Sequence, residues 1–175
     1  MTWNPYERLP PAASFSLTSK DLREGEKLKM PQVSGIFGAG GQDRSPHLAW
    51  SGFPSETQSF VVTMFDPEAP TVGGFWHWAV VNIPGKVTEL PAGAGDESGP
   101  GLPPGASHLP NDARTKRFIG AGPPEGSGKH RYMFAAIALD AERIEIDAEA
   151  TPAFLHYIIL DSTLARAFLE GWYER

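Results

Sequence analysis

The segment Phe60–Ile83, FVVTMFDPEAPTVGGFWHWAVVNI, contains the features that decide the fold. Its ends, Phe60–Phe65 and Phe75–Ile83, consist mainly of β-branched and aromatic residues, which favour the pleated and half-buried surface of a sheet. Between them lies DPEAP, in which two prolines fix the backbone φ angle. The segment therefore predicts two central strands and a stiff turn that holds the Asp66 carboxylate at the end of the first strand.

Further short apolar or alternating runs lie between glycines and prolines along the rest of the chain. They predict additional strands at Phe15–Ser19, Leu48–Ser51, Tyr132–Leu139 and Ile144–Ile146. Segment 92–111 is rich in Gly, Pro and Ser and has no apolar period, so it predicts a long surface loop within the domain. Residues 1–12 are predicted to form a flexible or extended N-terminal arm.

The C-terminal segment has a different periodicity. Thr151 followed by Pro152 is suited to begin a helix. Apolar residues then recur near a period of 3.6, at Leu155, Ile158, Ile159, Ala165, Phe168 and Leu169. Gly171 predicts the end of this helix. The sequence therefore predicts one mainly β domain over residues 1–175, an antiparallel β structure followed by one or two C-terminal helices.

The composition of the 175-residue chain excludes several classes of protein. Its apolar fraction of 41% suffices for a core, and the absence of cysteine excludes a disulfide scaffold and a thiolate nucleophile. The net charge of -6 is unfavourable for binding nucleic acid or an anionic membrane. No apolar stretch approaches the ~20 residues of a membrane-spanning helix, and no secretory signal begins the sequence, so we expect a cytoplasmic protein without a membrane span.

Two candidate site residues lie close to the DPEAP turn, and each also has a purely structural interpretation. Asp66 could form an Asx turn with its own backbone, and His77 could be a hydrogen-bonded core histidine. Both structural interpretations are favoured when each residue is considered alone. Strict alternation predicts two faces for the second strand, with Phe75, His77, Ala79 and Val81 on one and Trp76, Trp78, Val80 and Asn82 on the other.

A third candidate is the segment Gly120–Tyr132, GAGPPEGSGKHRY. Its glycines and adjacent prolines predict a rigid loop with exposed backbone N–H groups, followed by a strand with His130 and Tyr132 on one face. Such a loop can bind phosphate through successive amides, and an imidazole can add a hydrogen bond. The alternative is a turn without a ligand. Because no helix follows the glycines, a dinucleotide-binding fold is excluded.

Together these segments resemble the phosphatidylethanolamine-binding protein family, and specifically its bacterial branch of Raf-kinase-inhibitor-like proteins. The family's first signature is matched by DPEAPTVGGFWHWAVVNIPG and its second by GPPEGSGKHRY. FSLTS, SPHLAWSGFP and the pair Asn111 and Asp112 match further family stretches in the expected order. The resemblance implies a Greek-key β fold with a large central antiparallel sheet, a smaller sheet and C-terminal helices.

The resemblance also implies a small pocket for phosphate-like anions or phosphoryl head groups at the end of the central sheet. By that resemblance, the ligand-binding residues are Asp66, Glu68, Ala69, Pro70, His77, Gly122, Pro123, His130 and Tyr132. Glu68 stands where many members have Asp, which changes how an ammonium group would be met. The spacer after DPEAP is shorter than in eukaryotic members, so we expect an open site.

The leading hypothesis for function is a non-enzymatic binding protein without a cofactor. In it, Asp66 hydrogen-bonds His77 or His130, and the loop amides with His130 and Tyr132 hold a phosphoryl group such as that of phosphorylethanolamine. One alternative is a hydrolase that acts on a phosphoester or uses a metal held by Asp66, Glu68, His77 and His130. The sequence offers no evident nucleophile and no metal-binding motif for it.

Another alternative is an interaction protein that inhibits a kinase or protease through exposed loops such as residues 92–111. The aromatic pair Trp172 and Tyr173 either packs in the core of its own chain or forms a homodimer interface, and core packing is slightly favoured. The physiological partner is not specified by the sequence.

Overall fold

The computed structural model describes residues 3–175, so positions 1 and 2 of the predicted N-terminal arm lie outside the described residues. Within this range the chain forms ten strands, one α-helix and two 3-10 helices, the latter at Pro5–Arg8 and Met30–Gln32. The strands are β1 (Ala13–Ser14), β2 (Ser16–Thr18), β3 (Glu26–Lys27), β4 (Leu48–Ser51), β5 (Ser59–Asp66), β6 (Phe75–Pro84), β7 (Glu89–Leu90), β8 (Ser107–His108), β9 (His130–Leu139) and β10 (Thr163–Tyr173). The helix is α1 (Pro152–Ile158).

The strands form two sheets. The larger sheet has seven strands in the order β1-β10-β9-β5-β6-β8, and β3 also pairs with β10. Its long central strands pair antiparallel, whereas the two short strands β1 and β3 run parallel to β10. The smaller sheet is antiparallel with the order β2-β4-β7. The predicted mainly β fold with a large and a smaller sheet is confirmed, and the large sheet is mixed through its two short parallel pairs.

Both faces of the larger sheet are covered. One face packs against the smaller sheet and buries a cluster that includes Trp50, Phe60 and Trp78. The other face packs against α1 through Leu155 and Ile159. Because β5 lies between these layers, it is buried at every position. This explains why its sequence is a nearly continuous apolar run rather than a strict alternation.

The predicted C-terminal helix is wrong beyond Ile158. The helix begins as expected, since the Thr151 hydroxyl accepts a hydrogen bond of 3.1 Å from the Phe154 amide. Residues 163–173 instead form β10, which pairs along its length with β9. Ala165, Ala167 and Leu169 are buried at a period of two, so this segment fits a strand as well as a helix, and the pairing partners decide between them.

Gly171 consequently has a different role from the predicted helix end. It lies inside β10 and pairs with Glu26 of β3 and Tyr132 of β9. A Cβ atom at this position would approach the Leu28 Cδ2 atom to 2.6 Å. Glycine therefore allows the close approach of the segment that contains β3.

The strand predicted at Ile144–Ile146 is also wrong. The backbone amide of Ile144 donates to the Asn82 Oδ1 atom at 2.7 Å, and the Asn82 side-chain amide donates to the Ile144 carbonyl at 3.1 Å. One side chain thus supplies the hydrogen bonds that a neighbouring strand would supply. Ile144 and Ile146 still pack against the core beside α1, which accounts for their apolar character.

Several segments predicted as irregular are tied to the core. Tyr6, in the first 3-10 helix, is buried against Met133 and Ala135 of β9. Segment 92–111 is mostly irregular but contains β8, which pairs with β6. Trp172 donates to the Gly25 carbonyl within its own chain. Over residues 3–175, no helix has the length and apolar character needed to cross a membrane.

His156 of α1 is a buried histidine that predicts how the stability of the protein changes in acid. Its ring stacks on Trp76, with ring centroids 4.8 Å apart, and meets the Tyr6 ring edge-on. Its Nε2 atom is buried and has no hydrogen-bond partner within residues 3–175. Burial lowers the pKa of His156 to about 4, and the charge of Arg166 acts in the same direction. The ring is therefore neutral at pH 7.

The variant His156→Phe should lose less stability in acid than the wild type. Between pH 6.5 and 4 the unfolded chain protonates His156 while the folded chain does not, so the free energy of unfolding falls as the pH decreases. Without the imidazole, the loss between pH 7.5 and 4.5 should shrink by about 2 kcal/mol. Urea unfolding at the two pH values measures it.

The matched control is Tyr157→Phe, an exposed residue of the same helix, which should retain the wild-type pH dependence. An identical pH dependence in wild type and His156→Phe would contradict the assignment of a neutral buried imidazole.

Candidate functional site

Three strand ends meet at one edge of the larger sheet. Because β5 runs antiparallel to both β6 and β9, the last residue of β5 lies beside the first residues of the other two strands. At this edge a cavity of about 200 Å³ opens to the surface. It is lined by Phe37, Asp66, Ala69, Pro70, Thr71, Phe75, His77, Gly122, Pro123, Pro124 and His130. Seven of the nine residues predicted by the sequence are in this lining.

Asp66 and His130 form the polar centre of the cavity. The Asp66 Oδ2 atom lies 2.8 Å from the His130 Nδ1 atom, and both side chains are buried. The other carboxylate oxygen, Oδ1, accepts a hydrogen bond of 2.8 Å from the Glu68 amide. The Asx turn of the structural interpretation is therefore present, and it orients the carboxylate that meets the imidazole. Of the two predicted histidine partners, the structure selects His130.

Burial controls the protonation of the carboxylate. Removal from water raises the pKa of Asp66 above its ordinary value, while the hydrogen bond and charge of His130 and the Glu68 amide act against this increase. A buried carboxylate needs such partners, since desolvation without compensation is costly. The interaction thus stabilises the end of β5 as well as orienting His130.

His77 reaches the cavity because of an irregularity in β6. Met64 pairs with Trp78 and Phe65 pairs with Trp76, so one step along β5 corresponds to two along β6. His77 is the extra residue of this β-bulge. Its ring meets the Tyr132 ring edge-on on one face of the sheet, while Trp76 stacks on His156 on the other face. The predicted alternation of β6 is therefore wrong at this point.

The His77 ring is neutral. Burial lowers the pKa of His77 to about 4, against the opposing effects of the Ile119 and Gly120 backbone. The His77 Nδ1 atom lies 3.0 Å from the Ile119 carbonyl, to which it donates. Its Nε2 atom is consequently an acceptor. His77 offers the cavity a lone pair rather than a positive charge.

Glu68 and Tyr132 are the two predicted residues outside the lining. The Glu68 carboxylate accepts hydrogen bonds from the Arg131 backbone amide at 2.9 Å and from its Nε atom at 2.8 Å. Tyr132 is fully buried behind His77, and its hydroxyl has no hydrogen-bond partner among the described residues. Burial raises the pKa of Tyr132, and the charge of Asp66 raises it further. Glu68 thus anchors the DPEAP turn, while Tyr132 supports the cavity from within.

Two loops close the sides of the cavity. Asp43 joins them, because its carboxylate oxygens accept from the Gly120 amide at 2.8 Å and from the Gly35 amide at 2.9 Å. A Cβ atom on Gly120 would approach the Val33 carbonyl carbon to 2.4 Å, so this close contact requires glycine. The Asn111 side chain fixes the next turn in a similar way. Its oxygen accepts from the Ala113 and Thr115 amides, and its amide nitrogen donates to the Arg117 carbonyl. These buried polar groups make the loop positions part of the core.

The sequence reasoning missed several lining residues. Phe37 comes from the loop after Val33 and meets the Phe75 ring edge-on at 5.9 Å. It packs so close to Gly122 that a Cβ atom there would lie 2.8 Å from the Phe37 Cβ atom. Three of the missed residues lie within two positions of a predicted residue, and this closeness in sequence could have indicated that they line the cavity. They are Thr71, Phe75 and Pro124. Phe37 had none, since its place depends on tertiary packing.

Ser127 is a further polar group that sequence reasoning missed. Its Oγ atom lies 3.0 Å from the His130 Nε2 atom and 2.7 Å from the Pro124 carbonyl. The signal was its position three residues before His130 in a glycine-bounded turn.

Within residues 3–175, no group of three His, Asp or Glu side chains is arranged to hold a metal ion. Of the metal ligands considered from the sequence, Asp66 is bonded to His130 and Glu68 is engaged by Arg131.

Comparison with known proteins agrees with this architecture. Residues 18–174 match the sequence model of the phosphatidylethanolamine-binding protein family. The chain is 44% identical to the UPF0098 protein YbcL of Escherichia coli over 93% of this chain and 89% of that protein. It is 42% identical to the UPF0098 protein YbhB of Escherichia coli over 91% of this chain and all of that protein.

A solved structure is similar as well. The crystal structure of Escherichia coli YbcL, described as a new member of the mammalian PEBP family, superposes with a TM-score of 0.89 at 43% sequence identity. The superposition covers 93% of this chain and 99% of that chain. The fold is therefore shared with that protein.

The variant Asp43→Asn should destabilise the protein through the two loops. An asparagine tolerates the backbone φ of 49° at this position but has one acceptor oxygen, so one of the two glycine amides loses its partner. We expect the free energy of unfolding to decrease by about 1–3 kcal/mol in urea titrations. The exposed variant Asp161→Asn is the control, and equal stability of the two variants would contradict the assigned role of Asp43.

Proposed function

The chain belongs to the phosphatidylethanolamine-binding protein family, and from this premise we propose that it is a binding protein whose cavity takes small phosphate-like anions or phosphoryl head groups. The observation that carries the proposal is the position of His130. Its imidazole lies in the cavity wall and is held at Nδ1 by the buried Asp66 carboxylate. A histidine oriented in this way can donate from its other nitrogen to an oxygen of the ligand.

The backbone around the cavity supplies a further donor. Ala69 lines the cavity, and within residues 3–175 its amide donates to no protein acceptor. An unused amide at a concave surface suits an oxygen of an anion. With His130, it provides two donors from two different segments of the chain. His77 adds an acceptor for a protonated ligand oxygen or for an ammonium group.

The size and walls of the cavity restrict the ligand. A volume of about 200 Å³ accommodates a phosphoryl group with a short substituent, such as phosphorylethanolamine. Phe37, Phe75 and Pro124 provide apolar surface beside the polar centre. An ethylene segment of the ligand would contact that surface while the phosphoryl group meets the donors.

Inhibition of a partner kinase or protease is a separable part of the proposal. Such inhibition would use exposed loops, for which residues 92–111 are the sequence-based candidate. A His130 substitution would then abolish binding in the cavity without affecting the loop-mediated interaction. A hydrolase that uses the same Asp66 and His130 pair is the second candidate. Cytoplasmic localisation and a homodimer stay predictions from the sequence.

Calorimetric titration with phosphate and with O-phosphorylethanolamine should detect binding to the wild type. The variant His130→Gln should bind at least about tenfold more weakly, because a hydrogen bond to a charged group contributes about 1.5–3 kcal/mol. Titration with ethanolamine alone separates the phosphoryl contribution from that of the amine.

The matched control is His47→Gln, which removes a buried imidazole that meets Glu89 at 3.2 Å and does not line the cavity. This variant should bind as the wild type does. The absence of heat from both phosphoryl ligands with folded wild type, or equal affinity of wild type and His130→Gln, would overturn the proposal.

A further inference from the structure

We propose that Ser127 is a nucleophile toward short acyl esters, activated by His130 and Asp66. The three side chains form a continuous row. The Asp66 Oδ2 atom lies 2.8 Å from His130 Nδ1, and His130 Nε2 lies 3.0 Å from Ser127 Oγ. A carboxylate that orients an imidazole, which in turn meets a hydroxyl, is the arrangement that activates serine for acyl transfer.

The carboxylate and the imidazole of this row are buried, whereas the hydroxyl that would react is exposed. Asp66 and His130 are 3% and 2% exposed, whereas Ser127 is an exposed residue. The two supporting groups are therefore held in a medium that strengthens their interaction. The hydroxyl remains accessible to a reagent. His130 also lines the cavity, so a group seated there lies beside the imidazole that would accept the proton.

The hydroxyl proton has two acceptors within reach. Ser127 can donate to the Pro124 carbonyl at 2.7 Å or to His130 Nε2 at 3.0 Å. When the imidazole is neutral and its proton is on Nδ1, facing Asp66, Nε2 has a lone pair. Rotation of the hydroxyl from Pro124 toward Nε2 then gives the reactive arrangement without moving a heavy atom.

Donors for the developing oxyanion follow Ser127 in the chain. Within residues 3–175, the amides of Gly128 and Lys129 donate to no protein acceptor. Gly128 has a φ of 86°, which breaks the regular direction of the backbone between Ser127 and β9. Free amides next to a nucleophile are the groups that stabilise a tetrahedral oxyanion.

The proposed reaction is acyl transfer in two steps. Ser127 Oγ forms a bond to the ester carbonyl carbon, and its proton passes to His130 Nε2. The bond to the leaving alkoxide breaks, and the alkoxide takes the proton from Nε2, which leaves an acyl-serine. Water repeats the sequence and releases the carboxylic acid. Ser127 itself lies outside the cavity of about 200 Å³, but His130 and Pro124 line it, so short acyl esters are the substrates that fit beside the imidazole.

The test is reaction with an alkyl fluorophosphonate followed by peptide mass spectrometry. In this reaction the Ser127 Oγ–phosphorus bond forms, the phosphorus–fluorine bond breaks, fluoride leaves, and the hydroxyl proton passes through His130 to solvent. The wild type should be modified at Ser127, and Ser127→Ala should not be. His130→Gln and Asp66→Asn should slow the modification at least about 100-fold. Turnover of p-nitrophenyl acetate should decrease in the same variants.

The matched control is Ser98→Ala, which removes another exposed loop serine and should react as the wild type does. Because Ser127 is exposed, its alanine variant tests the proposal even if the substitutions at His130 and Asp66 impair folding, and circular dichroism checks each protein. An unmodified Ser127 in the wild type, or modification of His130→Gln at the wild-type rate, would overturn the proposal. Phosphate binding is measured independently, so that result would leave the binding function standing.

Discussion

The buried hydrogen bond between Asp66 and His130 is the interaction on which the rest of the site depends. Asp66 is the last residue of a strand that is buried along its whole length, so its carboxylate has few routes to water. Without partners, a carboxylate at this position would oppose folding. The Glu68 amide and the His130 ring satisfy it, and each comes from a signature segment. The constraint on folding and the orientation of the imidazole are therefore the same contact.

Pairing in the sheet makes that contact possible. The antiparallel registers of β5 with β6 and with β9 bring the end of one strand beside the beginnings of two others. Loops from distant parts of the chain are then fixed at this edge by buried polar side chains. Asp43 holds two glycine amides, and Arg131 holds the Glu68 carboxylate. The cavity is thus a property of the sheet edge with its fixed loops, and no single segment forms it.

The sequence was most informative where one segment contains both a strand-forming pattern of residues and the polar residues of the site. The strands β5, β6 and β9 and the DPEAP turn could be predicted from local residues, whereas the sequence left the partner of Asp66 open between His77 and His130. The failures have a common physical cause, which is competition with tertiary contacts. Residues 163–173 are compatible with a helix and become a strand because β9 is available to pair. One extra residue in β6 moves His77 to the Tyr132 side, and periodicity contains no signal for a bulge. Phe37 and Ser127 acquire roles only from neighbours that folding brings to them.

The same imidazole is suited to two kinds of chemistry, and the placement of one proton separates them. A His130 ring that is protonated on both nitrogens donates to Asp66 and to an anion, which favours binding. A ring protonated only on Nδ1 presents a lone pair at Nε2, which favours activation of Ser127. Ser127 responds to both states, because its hydroxyl can accept from the first and donate to the second while the Pro124 carbonyl remains within 2.7 Å. An anion that accepts from Nε2 would occupy the nitrogen on which the proposed activation of Ser127 depends. The proposed binding of a phosphoryl ligand and the proposed reactivity of Ser127 therefore compete for the same nitrogen of His130.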